Sequence, residues 1–429
     1  MEEPDKATAL AGLTDDPMVL EQTARTAFGA GDFAGAAAAY GRLVPLLIER
    51  LPPGGAGRHV LSQVQRSWAQ SLLANGATAA AREAAAAGCF TDKTNPDAFG
   101  ALAQARLHGG DRGGQIAALM QALALRPTDP LYHFNLGVAQ LAAGQWQPGW
   151  QHYSWRWRAP QFKAAFAAMP RPVWGGAPPG RDEHLFIWAE QGIGDTLLYL
   201  SVLVSVPWLN QIALGVPAKL VPLLARSLPS NQVIAVPPYQ LPAQATHHCP
   251  IGLAAPSLWP VLDRSRTSAA FLRPDPAAVA HWRAHWQRLG ITHGIAWRST
   301  SAETGPAKSA NLGQLAALLR HGPERVLCLQ YGDVGADLAA LPADVCDKVH
   351  VEPGLDLFND LDTLAAAMVS LEGVTTVSNT VAHLAGALGL KTTVLLRPGP
   401  HLHWYWLDQG QHAVWYPKMH LDRALLSHT

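Results

Sequence analysis

Three short segments of the first third of the chain are built alike. Leu73-Ala-Asn-Gly76, His108-Gly-Gly110-Asp111 and Ala142-Ala-Gly144-Gln145 align on their glycines, at positions 76, 110 and 144, which stand 34 residues apart in both steps. A fixed period of this length means one small folding unit repeated, each copy completing its core on its neighbours. Alanine and leucine at helical spacing fill the intervals, so each unit reads as two antiparallel helices. Glycine supplies the tight turn between them, and Pro127, following Ala-Leu-Arg126, ends a second helix. An earlier match, Ala30-Gly31-Asp32-Phe33, precedes Gly76 by 45 residues. The surplus is assigned to the loop Leu51-Pro-Pro-Gly-Gly-Ala-Gly57.

A period of 34 is that of the tetratricopeptide repeat (TPR), and Asn135-Leu-Gly-Val-Ala-Gln-Leu-Ala-Ala-Gly144 is similar to its consensus. Residues 1–165 are therefore expected to form a TPR-like helical domain.

After Trp157 the texture changes. Pro160, Pro170, Pro172, Pro178 and Pro179, mixed with Gly175, Gly176 and Gly180, mark a linker laid over a surface. Short apolar strands then alternate with helices. The first series has strands at 185–189, 212–216 and 232–236, with helices expected over 196–206 and 218–228. The second has strands at 294–297, 325–330, 374–377 and 392–396, with helices over 312–320, 361–370 and 380–388. Such alternation gives parallel sheets covered on both faces. The fold class is thus α plus α/β: helical repeats followed by two Rossmann-like lobes, 166–285 and 286–429, separated by the helical stretch Pro276–Leu289.

Composition narrows the function. Lys+Arg and Asp+Glu both number 32 among 429 residues, a formal net charge of zero. Nucleic acid or an anionic membrane as partner would call for a basic excess. The cysteines, at 89, 249, 328 and 346, lie far apart, as buried thiols in a reducing compartment do. The acidic N-terminus lacks an apolar core with a cleavage site, and the longest apolar run, Leu197–Leu209, is too short to span a bilayer. A cytoplasmic protein is expected.

In open parallel sheets ligands bind at the carboxyl ends of the strands, which singles out three loops. The first is Glu190-Gln-Gly192-Ile-Gly194-Asp195. Its glycines let backbone approach a ligand, and Asp195 at a helix start either caps that helix or accepts a proton from an attacking hydroxyl. The second runs from Trp297 to Lys308 through Arg298 and Ser299, hydroxyls and a cation that suit a diphosphate and equally suit an exposed polar loop. The third is Val377-Ser-Asn379-Thr380-Val-Ala-His383, where helix amides with Asn379 and Thr380 make an anion site. His383, one turn on, is either a ligand group or a packed core residue. His247-His248 and His401-x-His403 lack the further ligands that a metal needs. The tryptophan clusters at 150–157 and 404–415 read as packing.

Together these segments resemble a family of bacterial proteins with N-terminal tetratricopeptide repeats and a C-terminal glycosyltransferase-B (GT-B) region. The resemblance rests on Gly149-Trp150 with Tyr153-Ser-Trp155-Arg-Trp157-Arg, on Trp188-Ala-Glu190-Gln-Gly192-Ile-Gly194-Asp195-Thr, on His248-Cys-Pro250-Ile-Gly-Leu, and on Trp415-Tyr-Pro417. Its most specific part is Ala382-His-Leu-Ala-Gly-Ala-Leu-Gly389. The catalytic lobes also resemble the heptosyltransferase family, in which a Gly-Asp like Gly194-Asp195 supplies the base and a Gly-Pro-Ala-Lys like Gly305–Lys308 lies near the donor diphosphate. The resemblance implies an inverting, metal-independent glycosyltransferase without a cofactor. Asp195 would be its base, and Gly192, Gly194, Arg298, Ser299, Lys308, Asn379, Thr380 and His383 would hold a nucleotide-sugar. The repeats would present a protein acceptor, such as a flagellin-like or cell-surface polypeptide.

The chain departs from that pattern in places. Relatives carry Asp at the position of Asn379, a basic, Asn-containing loop at 298–308, and Asp-Trp-Arg-Trp where His403-Trp-Tyr-Trp406 stands here. A degenerate scaffold that binds without turnover, or a transferase acting on a lipid-linked or saccharide precursor, are the alternatives these departures keep open.

Overall fold

The computed structural model describes residues 15–52, 54–159, 169–237, 240–259, 270–301 and 304–426. Of the linker prolines Pro160 lies outside them, as do residues 302–303 of the second loop. The chain divides into two compact units, 1–159 and 160–429.

Among the described residues the first unit has four helix pairs: α1 (Pro17–Gly29) with α2 (Phe33–Arg50), α3 (Gly55–Ala74) with α4 (Thr78–Thr91), α5 (Pro96–His108) with α6 (Arg112–Leu125), and α7 (Pro130–Ala142) with α8 (Trp146–Tyr153). The glycines that defined the period occupy one backbone state. Gly31, Gly76, Gly110 and Gly144 have φ of 80°, 80°, 74° and 74°, the left-handed region that closes a helix without a β-carbon clash. Asp32 and Asp111, next in line, accept from Gly35 N at 2.9 Å and Gly114 N at 2.8 Å and so start the following helix. Pro17, Pro96 and Pro130 open the first helices of their pairs, where the missing N–H costs nothing. Alanines 84, 85, 98, 101, 118, 122 and 139 let the helices approach closely around Leu102, Leu119 and Leu136.

The 11-residue surplus before Gly76 is not a loop, as the Pro/Gly composition suggests. Helix α2 has 18 residues against 14 in α4, and α3 has 20 against 13 in α5. Gly55, Ala56 and Gly57 belong to α3, whose N-cap is Gly54. Helix is the better state for them because the residues that follow carry an apolar face, with Val64 buried against Leu43 and Leu47.

Among the described residues the second unit has two sheets, and every pair of neighbouring strands in them is parallel. The smaller runs β3 (Gln232–Ala235), β2 (Ile212–Val216), β1 (Leu185–Trp188), β4 (His247–Pro250). Strands β1 and β2 are buried along their whole length, the pattern of a sheet covered on both faces. The larger sheet runs β10 (Met419–Asp422), β9 (Thr392–Leu395), β8 (Gly373–Val377), β5 (His293–Ala296), β6 (Val326–Cys328), β7 (Val349–His350). Helices α9 (Ile193–Leu203), α10 (Val221–Ser227) and α11 (Ile251–Leu258) go with the first sheet. Helix α12 (Pro276–Leu289) spans the residues expected of it, and α13 (Leu312–His321), α14 (Leu361–Val369) and α15 (Thr380–Ala387) accompany the second sheet. The described residues thus have the expected class, TPR-like helical repeats followed by two Rossmann-like lobes.

The lobes touch at two levels. Helices α9 and α15 pack together, and Arg226 of α10 forms a two-pronged ion pair with Asp362 of α14 at 2.5 and 2.8 Å. Lys219 lies over the Phe358 ring, 3.2 Å from its centre. Among the described residues no helix is long and apolar enough to cross a membrane.

Candidate active site

Strand β1 delivers the first loop. Ala189 N donates to Gly215 O at 2.7 Å, which holds the chain in line as it leaves the sheet. Helix α9 then starts at Ile193, three residues earlier than expected. Its N-cap is Gly192, and the Thr196 hydroxyl donates back to Gly192 O at 3.0 Å. Asp195 is therefore the third residue of the helix and not its N-cap, half-buried in the first turn where the helix dipole favours an anion. Gly194 is required sterically: a β-carbon there would stand 2.8 Å from Cδ2 of His383.

Strand β5 delivers the second. The Gln330 side-chain oxygen accepts from Trp297 N at 3.1 Å and Arg298 N at 2.8 Å. The Arg298 guanidinium turns to Asp337 at 2.9 Å and donates to the Asp333 carbonyl. Ser299 N donates to the Ser309 hydroxyl at 3.0 Å, and that hydroxyl donates to Gly305 O at 2.8 Å. These bonds fold the loop back on itself, and the single helical turn Gly305–Lys308 projects Lys308. Its ammonium donates to Nε2 of His403 at 3.1 Å.

Strand β8 delivers the third. Asn379 caps α15 through its side-chain oxygen, which accepts from Ala382 N at 3.3 Å and from the Thr376 hydroxyl at 3.0 Å. Its amide nitrogen donates to Arg298 O at 3.3 Å, tying this loop to the second. Thr380 opens the helix. His383 is 2% exposed, stacked on Trp406 at 5.3 Å, edge-on to Tyr405 at 5.1 Å, with Nδ1 3.3 Å from the Tyr416 hydroxyl. The Trp406 indole donates to the Ser378 hydroxyl at 2.8 Å and is fixed by it.

Electrostatics draws these groups into one neighbourhood. Burial lowers the Lys308 ammonium from its ordinary value while the Asp195 charge opposes that fall. His403 is pushed down to about 4 by burial and then by Lys308. His383 goes down to about 3 by burial, then by His403 and Lys308. Tyr416 is raised by burial and by Asp195. Both imidazoles are thus neutral at neutral pH.

The structure brings Asp195, Gly194, Lys308 and His383 together. Arg298 points to Asp337, while Gly192, Ser299 and Thr380 stand at the loop ends. Two members escaped the sequence reading: His403, the partner of Lys308, and Tyr416, the partner of His383. Both fall in segments singled out there, His403 in a departure and Tyr416 in a match. Lys308, Ser378, Arg397, His401 and His403 line a recess of about 10 Å³, room for about one water. His248 accepts from the Trp188 indole at 3.2 Å, and neither histidine pair is joined by a third metal-ligating group among the described residues.

No family model matches the chain. A curated relative, Protein FlbA of Caulobacter vibrioides (strain ATCC 19089 / CIP 103742 / CB 15), is 28% identical over 310 residues, 67% of this chain and 51% of that protein. The chain thus spans about half the length of the curated relative it matches. Among solved structures, the ADP-heptose lps heptosyltransferase II of E. coli is 15% identical, covering 57% of this chain and 95% of its own at a TM-score of 0.37. YrrB, a TPR protein with an unusual peptide-binding site, is 12% identical, covering 37% of this chain and 76% of its own at a TM-score of 0.29.

Proposed function

We propose that the chain transfers a sugar from a nucleotide-sugar to an acceptor hydroxyl, with inversion and without a catalytic metal. The observation that carries the reading is the pairing of Asp195, in the first turn of α9 after β1 in one lobe, with Lys308, after β5 in the other, as interacting charges. Asp195 takes the proton of the acceptor hydroxyl as the oxygen attacks the anomeric carbon. Lys308 neutralises charge on the diphosphate as it leaves from the opposite face, helped by the amides at the start of α15. Gly192 and Gly194 let the first loop approach the donor, and Asn379 holds the second and third loops at a fixed spacing. Ser299 and Thr380 are hydroxyls on the segments that carry Lys308 and the start of α15. His383, neutral and walled in by aromatic rings, supports the floor of the site.

A protein acceptor fits the repeat unit. A groove of about 430 Å³ is lined by Arg66, Gln70, Asp97, Gln104, Tyr132 and Asn135 among others, side chains able to hydrogen-bond an extended peptide.

The test is thermal stabilisation of the protein by a panel of nucleoside diphosphates and nucleotide-sugars, since a ligand selective for the folded state raises the midpoint. A rise with one nucleotide that disappears in Lys308→Ala, and nucleoside diphosphate release that disappears in Asp195→Asn, support the reading. No rise across the panel sinks it. The second reading, a scaffold without turnover, draws on the water-sized recess and on Arg298 being held by Asp337. Nucleotide binding with no product release for any acceptor supports that one.

A further inference from the structure

Helix α12 lies beside α14 and carries Trp282 and Trp286 inward, their rings stacked at 4.9 Å, with the Trp286 indole donating to Ala367 O at 3.1 Å. These anchors fix the rotation of the helix. His285, between them in sequence, consequently faces the end of the edge strand β7. There its Nε2 lies 2.8 Å from Oε2 of Glu352, and Nε2 of His350 lies 3.0 Å from the same oxygen. The three side chains are 26%, 19% and 14% exposed for His285, His350 and Glu352. Their ligating atoms all lie within 4.8 Å of one another. The other carboxylate oxygen of Glu352 accepts from Gly354 N at 3.3 Å, which holds the carboxylate in place.

Two imidazoles and one carboxylate converging from separate elements are the donor set of borderline-soft divalent ions and not of calcium or magnesium, which take oxygen. Bonds of about 2.0–2.1 Å in tetrahedral geometry separate ligand atoms by about 3.3 Å. The present spacings are a few tenths of an ångström shorter for the two contacts to Glu352, so side-chain rotations alone admit an ion. His281 stands one turn before His285, its ring parallel at 6.4 Å. Histidines four apart share a helix face, the spacing that lets one helix give two ligands. Arg288 approaches Nδ1 of His285 at 3.2 Å and has to swing into solvent for that nitrogen to carry the proton when Nε2 binds metal.

We propose that His285, His350 and Glu352, with His281 as the fourth ligand, form a binding site for a zinc-class divalent ion that clamps α12 to the edge of the second sheet. The site belongs to the far edge of that sheet, on β7, whereas Asp195 and Lys308 follow β1 and β5. It is independent of the transfer reaction.

The test is titration of the full chain, tag-free and chelator-stripped, with Co2+, read by the visible d–d absorption of a low-symmetry site, and then with Zn2+ in competition. One equivalent of Co2+ that Zn2+ displaces, weakened about 100-fold or more in Glu352→Gln and in His350→Ala, is the expected result, given that lesser second-shell losses cost about 10–100-fold. Glu352→Gln keeps shape and hydrogen bonding, so it reports on coordination even where His350→Ala unfolds. Absent d–d bands in the unaltered protein, or bands that persist unchanged in Glu352→Gln, overturn the proposal.

Discussion

The ring of His383 lies so close beneath the first turn of α9 that Gly194 has no room for a side chain: a β-carbon would meet Cδ2 at 2.8 Å. Trp406, Tyr405 and Tyr416 surround that ring, so it cannot yield. Gly194→Ala is therefore expected to cost about 1–3 kcal/mol through overpacking. Urea denaturation measures it, and adding His383→Ala should recover part of the loss. An unchanged midpoint in Gly194→Ala would mean that the two helices are not seated as described.

Asn379 and Asp differ by one atom, yet they are not interchangeable here. The amide nitrogen of Asn379 donates to the Arg298 carbonyl, and a carboxylate would face that carbonyl with no proton to share. Asn379→Asp should destabilise by about 1–3 kcal/mol, although it preserves the cap on Ala382 N. A stabilising outcome in thermal melts would refute the clasp between the two loops.

The repeat glycines make a cleaner case. Gly76, Gly110 and Gly144 have open space where a β-carbon would go, so only the backbone opposes alanine. Each single replacement should cost about 1–2 kcal/mol, the penalty of a left-handed residue, and the three values should agree. Widely unequal losses would show that side-chain packing enters as well.

Acid sensitivity follows from the buried imidazoles. His403 and His383 are pushed down to about 4 and about 3 in the folded chain, against about 6.5 when unfolded. Between those limits the unfolded chain binds more protons than the folded one. Stability from these groups is complete above about pH 6.5 and falls as the pH drops towards 4 and then 3, at about 1.4 kcal/mol per unit for each. Glu352, where the hydrogen bonds from His350 and His285 outweigh burial and hold the carboxyl down to about 2, adds a loss in the same direction below pH 4.5. Unfolding midpoints at pH 7.5, 6 and 5 test this, and His403→Gln should flatten part of the slope.

Much of the fold was legible because it is periodic. The 34-residue spacing marked the helix turns, strands β1 and β2 are apolar runs, and β5, β8 and β9 are short stretches rich in apolar and β-branched residues between turn and helix signals. Strands β4 and β10 were not legible. His247-His-Cys-Pro250 carries neither an apolar run nor an alternation, Met419-His-Leu-Asp422 alternates over four residues only, and both are strands because neighbours supply the pairing. The candidate site divides in the same way. Asp195, Lys308 and His383 fall in the first helical turns that follow strand ends, a position that announces them. The contact of Lys308 with His403 spans 95 residues and leaves no local trace. Arg298 shows the converse: a cation in a promising loop whose partner, Asp337, decides its direction.

The hydrogen bond from Lys308 to His403 also sets the terms on which an anion can enter. The ammonium is already engaged, so an arriving anion exchanges with the imidazole, and the affinity measured is the difference between two attachments. Once displaced, His403 leaves the cation that helps keep it neutral and gains basicity. Occupancy of Lys308 in acidic solution then favours proton uptake from the buffer, and the heat of association varies with the ionisation enthalpy of the buffer chosen.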